Sequence, residues 1–474
     1  MITKREVYLF VLASLTLIAA EKVTISPEGH QILENTNSHG DTGWVGVPKS
    51  HALFSLNYAT LYDDGQFNLW DHDVLEHWDR EIGNKYPRGI SYRPPDDLPS
   101  RWYPMHGVYS SSSTSVLQAQ LNEAKAANIE LLVIPFTISQ KEAQSLSPYV
   151  MTEFHSRKFT DLNLPKLLKY AEKEGMKVGF LIEEFRGRNC DKIFKQMKYL
   201  IETYYTYESF FPIFYIYDAH HVDMTLVLSH TEPLDSIRKW YQKFIAEQAN
   251  DRRMHEKLYV ISSWVDIDSG HKALVEGYDG LFTYFASNAH SYGSNASNWK
   301  SMNDFAASNG LLLIPAVSPG YDDLKVRPWN SQLTIERYEE KKDDNGGRRE
   351  YFLKTRCTAI KTEFSNYPPK IIFINSFNDW ISGTQIEPAV SVTIPPLEKC
   401  NPGRKSNRMC RRLQRQLNID GIYYDYDGGT TIHDYSSTTI SAEESLDGID
   451  ELLETSTSFR YLQLTKECIK DVFQ

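Results

Sequence analysis

Eight short apolar runs separated by amphipathic stretches fill the middle of this 474-residue chain and leave few folds open to it. They are ALFSLNYA (52–59), IELLVIPF (129–136), MKVGFLIE (176–183), FPIFYIYD (211–218), KLYVISSW (257–264), DGLFTYFA (279–286), LLLIPAVS (311–318) and KIIFINSF (370–377). Their Val, Ile, Leu and Phe content fits strands covered on both faces, as in a parallel sheet. Helical patterns lie between them at 115–128, 164–174, 191–205, 234–249, 299–308 and 351–365. Eight strands alternating with helices predict an α/β fold, a (β/α)8 TIM barrel of about 330 residues with long irregular loops at the C-terminal face of the strands. The first crossover, 60–115, is long and full of Pro and aromatics, so it is expected to wall a cleft rather than form a simple helix.

The flanks divide the rest. Residues 1–20 carry Lys4 and Arg5 followed by an apolar segment from Val7 to Ala20, the pattern of a signal peptide. A bilayer span needs about 20 apolar residues, so a retained signal anchor is the alternative, and with it membrane attachment. Either reading directs the chain to the secretory lumen or outside the cell. Residues 21–49 form a lead-in, 50–392 the barrel, 393–457 a basic then acidic insertion of low order, and 458–474 a C-terminal helix. Secretory entry makes the five cysteines, at 190, 357, 400, 410 and 468, candidates for one or two disulfides with one left over.

A net charge of −11 argues against nucleic acid as a partner. Aromatics make up 13% of the chain, which suits either a sugar-stacking cleft or an aromatic core. In a barrel of this kind chemistry sits at the C-terminal strand ends. Those ends offer Asn57, Tyr58, Phe136, Glu183, Glu184, Tyr217, Asp218, Trp264, Tyr284, Phe285, Asn378, Asp379 and Trp380, an acidic and aromatic collection. No Cys or His cluster at ligand spacing calls for a metal, since the rings of His220 and the adjacent His221 diverge. Neither a GxSxG elbow nor a phosphate-cradling loop is present, and no cofactor is expected. Carboxylates among aromatics suggest glycoside chemistry. Plainer roles stand beside this one: Glu183 or Glu184 pairing with Arg186 or Arg188, and Asp218 or Asp379 capping a turn.

The stretches DHDVLEHWD (71–79), PPDDL (94–98), YPMHGVYSSSSTSV (103–116), FYIYD (214–218), YDGLFTYFASN (278–288), PGYDDLKVRPWN (319–330) and SFNDWISGTQIEPAV (376–390) closely resemble the endo-α-1,2-mannosidases of glycoside hydrolase family 99. The likeness runs in order over residues 50–392, with a shorter echo at 461–465. It implies a (β/α)8 barrel in the secretory pathway, Golgi or ER, and a substrate: glucosylated high-mannose N-glycans or glycoproteins, cut at an internal α-1,2-mannosidic bond without a metal.

The family pattern resembles SFNEWxEGTQIE and uses two glutamates. The first is the base toward the sugar's own 2-hydroxyl, giving a 1,2-anhydro intermediate; the second is the general acid. On this chain they fall on Asp379 and Ser382. Asp379 is one methylene shorter, a withdrawal of about 1 to 1.5 Å, and misplacement on that scale costs on the order of 10²-fold. Ser382 has no useful acidity near neutral pH, and general-acid help is worth about 10² to 10⁴-fold.

Glu387 does not restore the role, because the pattern carries a glutamate there too. HIEPY appears here as LIEEF, which keeps Glu183 but has Leu181 and Phe185; WYP appears as IPF, leaving Phe136 as the stacking ring; YDSY appears as YDAH, ending in His220. The resemblance therefore implies catalytic positions Asp379, Ser382 and Glu183, with substrate contacts from Tyr58, Phe136, Glu184, Tyr217, Asp218, His220, Tyr284, Asn378, Trp380 and Glu387. An endo-mannosidase-like protein with impaired hydrolysis is the leading expectation. The alternatives are a lectin-like pseudoenzyme, a full hydrolase with Glu184 or His220 as a relocated acid, and a scaffold with no sugar ligand.

Overall fold

The computed structural model describes residues 44–60, 69–72, 74, 80–86, 92–95, 97–136, 148–185, 188–219, 233–248, 257–285, 290–341, 348–390 and 457–474. The signal or anchor segment, most of the lead-in, the 393–456 stretch and His220 lie outside these. Two compact units divide the chain at Val47 and Pro48. Of the first, residues 44–47 form a turn, with Val47 N–H donating to the Trp44 carbonyl at 3.4 Å.

The second unit is the barrel. Its strands are β1 (Ser50–Leu53), β2 (Leu131–Phe136), β3 (Lys177–Ile182), β4 (Phe210–Ile216), β5 (Tyr259–Ser263), β6 (Gly280–Phe282), β7 (Leu312–Ile314, continued by Ala316–Val317) and β8 (Ile372–Ile374). All pair in parallel in chain order, and β1 also pairs with β8, His51 facing Phe373. The first piece of β7 pairs with β6 and its continuation with β8, so the ring of eight strands closes. Each of the eight apolar runs overlaps one of these strands, β1 and β4 beginning before their runs.

Helices α1 (Thr114–Ala126), α2 (Pro148–Glu174), α3 (Cys190–Tyr204), α4 (Pro233–Glu247), α5 (Ser269–Glu276), α6 (Trp299–Ser308) and α7 (Phe352–Glu363) fill the seven crossovers. The eighth helical position is taken by α8 (Arg460–Phe473), which returns from beyond the barrel to pack against both α7 and α1. A disulfide between Cys357 of α7 and Cys468 of α8 fastens it there, while Cys190 is free and buried. Cys400 and Cys410 fall outside the described residues. No helix among the described residues is long and apolar enough to cross a membrane.

The core has two layers. Alternate strand residues such as Leu132, Ile134 and Phe136 join the helices' buried faces in one large cluster. The opposite parity fills the barrel axis. Tyr215 on β4 meets Phe282 on β6 at 4.9 Å and Phe373 on β8 at 5.1 Å, contacts between strands that do not pair and therefore meet inside the ring. Beneath them His51 on β1 reaches the Tyr215 hydroxyl through Nδ1 at 2.6 Å, and burial, opposed by its bond to the Pro48 carbonyl, pushes this imidazole down to about 3.

Three elements were not legible. Helix α5 spans eight residues and stops at Gly277 in the left-handed region (φ 83°), too short to show a period. The first half of α2, opened by Pro148, precedes the expected 164–174 segment. The hairpin of Tyr338–Lys341 with Arg348–Tyr351 is built of YEEK and RREY, which carry no apolar face to read.

Candidate active site

The C-terminal ends of the strands open on one face, and side chains two residues beyond the axis-filling rings reach it. Glu183 follows Leu181, Tyr217 follows Tyr215, Tyr284 follows Phe282, and Asn375 follows Phe373. The rings of Tyr217 and Tyr284 meet edge to face at 5.0 Å, and Phe285 lies 6.1 Å from Tyr217. Asn375 Nδ2 donates to the Tyr284 carbonyl at 2.7 Å. Burial, reinforced by Asp218 and Glu184, pushes the Tyr217 phenol up to about 12. Tyr284 is raised well above its ordinary value by burial, then by Tyr217, Asp379 and Glu183. Both phenols therefore stay neutral and can donate a hydrogen bond. The shared influences place Glu183 and Asp379 in one electrostatic neighbourhood with these rings.

Loop residues 376–387 after β8 are fixed from several sides. Asn378 accepts from the Ser55 N–H at 2.6 Å and donates to the Ser55 carbonyl at 3.0 Å, stapling the loop to the end of β1. Asp379 N–H donates to Ser376 Oγ at 2.8 Å. The Asp379 carboxylate turns back on its own loop, Oδ1 accepting from the Ser382 N–H at 3.1 Å. Asp322 N–H in turn donates to the Ser382 carbonyl at 2.9 Å. Gly383 lies at φ 64°, and a Cβ there would stand 2.7 Å from the Asp322 carbonyl oxygen, so glycine is required for this approach.

Several expected contacts belong to the wall, not the mouth. Trp380 is fully buried among Tyr58, Trp70, Leu98 and Tyr109, its N–H donating to the Tyr58 hydroxyl at 3.0 Å. Glu387 is 2% exposed. Its oxygens accept from Gln120 Nε2 at 2.6 Å, Tyr109 at 2.9 Å and Trp380 Nε1 at 2.7 Å. Phe136 is turned outward by strand alternation: it shares its face with Leu132 and Ile134 and stacks on Tyr199 of α3 at 6.1 Å. It is not positioned to stack on a ligand in the barrel mouth. Phe136→Ala is accordingly expected to lower stability by about 3 kcal/mol, which urea unfolding checks.

Asp218 sits in the left-handed turn after β4 at φ 50°, clasped by Arg188. The guanidinium donates to the carbonyls of Tyr217 and Asp218 and lies 3.8 Å from the Asp218 carboxylate. Glu184 is exposed beside this turn.

A third group lies on the loop after β7, within the PGYDDLKVRPWN stretch. Asp323 is fully buried and accepts from Tyr321 at 2.6 Å, Asn330 at 2.8 Å and Arg327 at 3.1 Å. Arg327, 36% exposed, stays cationic: burial works against its charge, but Tyr321, Asp323 and Asp379 outweigh it. His290 stacks on Phe285 at 4.1 Å and lies 6.1 Å from Tyr321. The Asp-x-x-x-Arg spacing, which sets one ion pair within the loop, was the available signal.

Among the described residues the mouth presents carboxylates, phenols, aromatic faces and the Arg327 guanidinium, groups suited to the hydroxyls and flat faces of a sugar. Position 382 supplies a hydroxyl where the resemblance places the acid.

Residues 49–401 match the model of Glycosyl hydrolase family 99. The chain is 34% identical over 358 residues to the glycoprotein endo-alpha-1,2-mannosidase-like protein of Mus musculus, covering 73% of this chain and 70% of that one. It is 32% identical over 352 residues to the glycoprotein endo-alpha-1,2-mannosidase of the same species, covering 72% and 68%. Among solved structures, the GH99 endo-alpha-mannosidase from Bacteroides thetaiotaomicron superposes with a TM-score of 0.56 at 22% identity, over 90% of this chain and 98% of that one, which supports the barrel fold. On the family match and these identities, the chain belongs to glycoside hydrolase family 99.

Proposed function

We propose that the barrel mouth binds the α-mannosyl arms of glucosylated high-mannose N-glycans in the secretory pathway and that its hydrolysis of the α-1,2 bond is strongly impaired. The observation that carries this reading is the Asp379–Ser382 contact. The remaining carboxylate is drawn back onto the Ser382 amide at 3.1 Å, and no carboxylic acid stands at position 382. Family membership and the mouth's polar and aromatic lining support glycan binding. Incubated with glucosylated high-mannose glycans, the purified chain should bind them and release little or no disaccharide. Rapid release would remove the reading, and so would undetectable binding.

One observation favours a second reading, a slow hydrolase with a relocated acid. Asp322 is joined to Ser382 through its backbone, and burial raises its carboxyl above the ordinary value although the Arg101 guanidinium, 2.7 Å away, pulls it back. If residual cleavage exists and Asp322 supplies the proton, Asp322→Asn abolishes it; if cleavage survives, Asp322 is only the counter-ion of Arg101.

A further inference from the structure

Behind the β8 loop lies a buried group that the glycan reading does not use. Imidazole and carboxylate atoms of His106, Glu123 and Glu387 lie within 4.8 Å of one another. His106 Nε2 contacts Glu123 Oε1 at 2.9 Å, an ion pair with 15% and 1% of the two side chains exposed. Glu123 Oε2 is buried without a partner. The segment bearing His106 is itself bonded to the far end of the loop. Tyr103–Pro104 pairs antiparallel with Ala389–Val390, and Met105 N–H donates to the Pro388 carbonyl at 2.9 Å.

We propose that His106 is a positioning residue for the β8 loop: its imidazolium holds Glu123 and Glu387 together, and Glu387 fixes the indole of Trp380, the residue next to Asp379. Charge and the supply of donors dictate this role. Two carboxylates this close and this buried cannot both stay ionised without a cation between them. His106 is that cation, contributed by one segment, facing Glu123 from α1 and Glu387 from the loop; Gln120, Tyr109 and Trp380 complete the surroundings. Those last three all donate to Glu387. A protonated Glu387 therefore needs an acceptor, and the unpartnered Glu123 Oε2 is the one the cluster offers.

Burial pushes Glu387 up to about 7, with His106 pulling down and Glu123 pushing up. Burial alone would lower His106, but Glu123 and Glu387 carry it up to about 9. Both groups bind protons more tightly folded than unfolded. Their stabilisation is complete below the unfolded values, 4.5 for Glu387 and 6.5 for His106, and is lost as pH rises through about 7 and then about 9.

The test uses the full chain labelled with 15N-tryptophan, with Trp380→Phe assigning the indole resonance. The Trp380 indole N–H should titrate with a midpoint near 7. His106→Leu should move that midpoint up by at least about one unit, and Glu123→Gln should move it down, because they remove charges of opposite sign. His106→Gln, which keeps a donor without the charge, should shift it upward as well and serves if the leucine variant does not fold. Melting temperature should fall between pH 6 and 9, and in the His106 variants the fall should end at the raised Glu387 midpoint, because no imidazole is left to lose a proton above it. A resonance flat from pH 5 to 9, or midpoints identical in all variants, overturns the proposal. So does a fall in melting temperature on adding EDTA, which would assign the cluster to a metal ion. No readout contains a sugar, so these outcomes are independent of the glycan reading.

Discussion

Returning two glutamates to the β8 loop, Asp379→Glu with Ser382→Glu, is expected to raise disaccharide release from glucosylated high-mannose glycan by about 10² to 10⁴-fold. Where the loop puts each group sets the size of the effect. Asp379 now spends one oxygen on the Ser382 amide, and an extra methylene carries the carboxylate about 1 to 1.5 Å farther from its backbone. At 382 the backbone is already held by Asp322 and by the Gly383 approach, so the new side chain starts from a fixed point. Ser382→Glu alone should supply most of the gain, since it restores the proton donor, and Asp379→Glu alone should give no more than about 10²-fold. Release measured for both singles and the double separates the two contributions. No gain in the double would mean that the mouth itself has changed, with Leu181 and Phe185 the first positions to inspect; both are buried, one in the barrel axis and one in the outer core.

The eight strands were legible because a parallel sheet covered on both faces leaves continuous apolar runs, and those runs survive any error in their ends. The same continuity hides parity. In IELLVIPF nothing tells which residues face the axis, so Phe136 read as a mouth ring when it packs against Tyr199; in FPIFYIYD the same ambiguity leaves Tyr217 beside Tyr284. Trp380 and Glu387 were misplaced for another reason. A polar loop with an aromatic and an acid looks ligand-facing, and only the structure supplies Tyr58, Tyr109 and Gln120 to satisfy them inside the wall. The Asp323–Arg327 pair was visible as spacing but had no strand end to locate it, because the loop after β7 is long.

Opening the Cys357–Cys468 disulfide is expected to cost about 4 to 5 kcal/mol of stability, the chain-entropy value for a loop of this size. The two cysteines are 111 residues apart, and α8 reaches its place only after the long excursion beyond Val390, so its docking closes a large loop that the cross-link has already closed in the unfolded chain. Loss of α8 would not stay local. Tyr461 on α8 forms one face of a slot in which the Arg337 guanidinium lies 4.5 Å from its ring and 4.4 Å from that of Trp102. From this slot Arg337 donates to the carbonyls of Gly383 at 3.1 Å and Gln385 at 3.0 Å, holding the β8 loop from behind. Reductant, or Cys357→Ala with Cys468→Ala, should therefore lower the urea midpoint and weaken glycan binding together, whereas Arg337→Met should weaken binding with the disulfide intact. Equal midpoints with and without reductant would show that packing of α8 against α7 and α1 suffices. Disulfides persist in oxidising environments, so the Cys357–Cys468 bond is consistent with the secretory location proposed above.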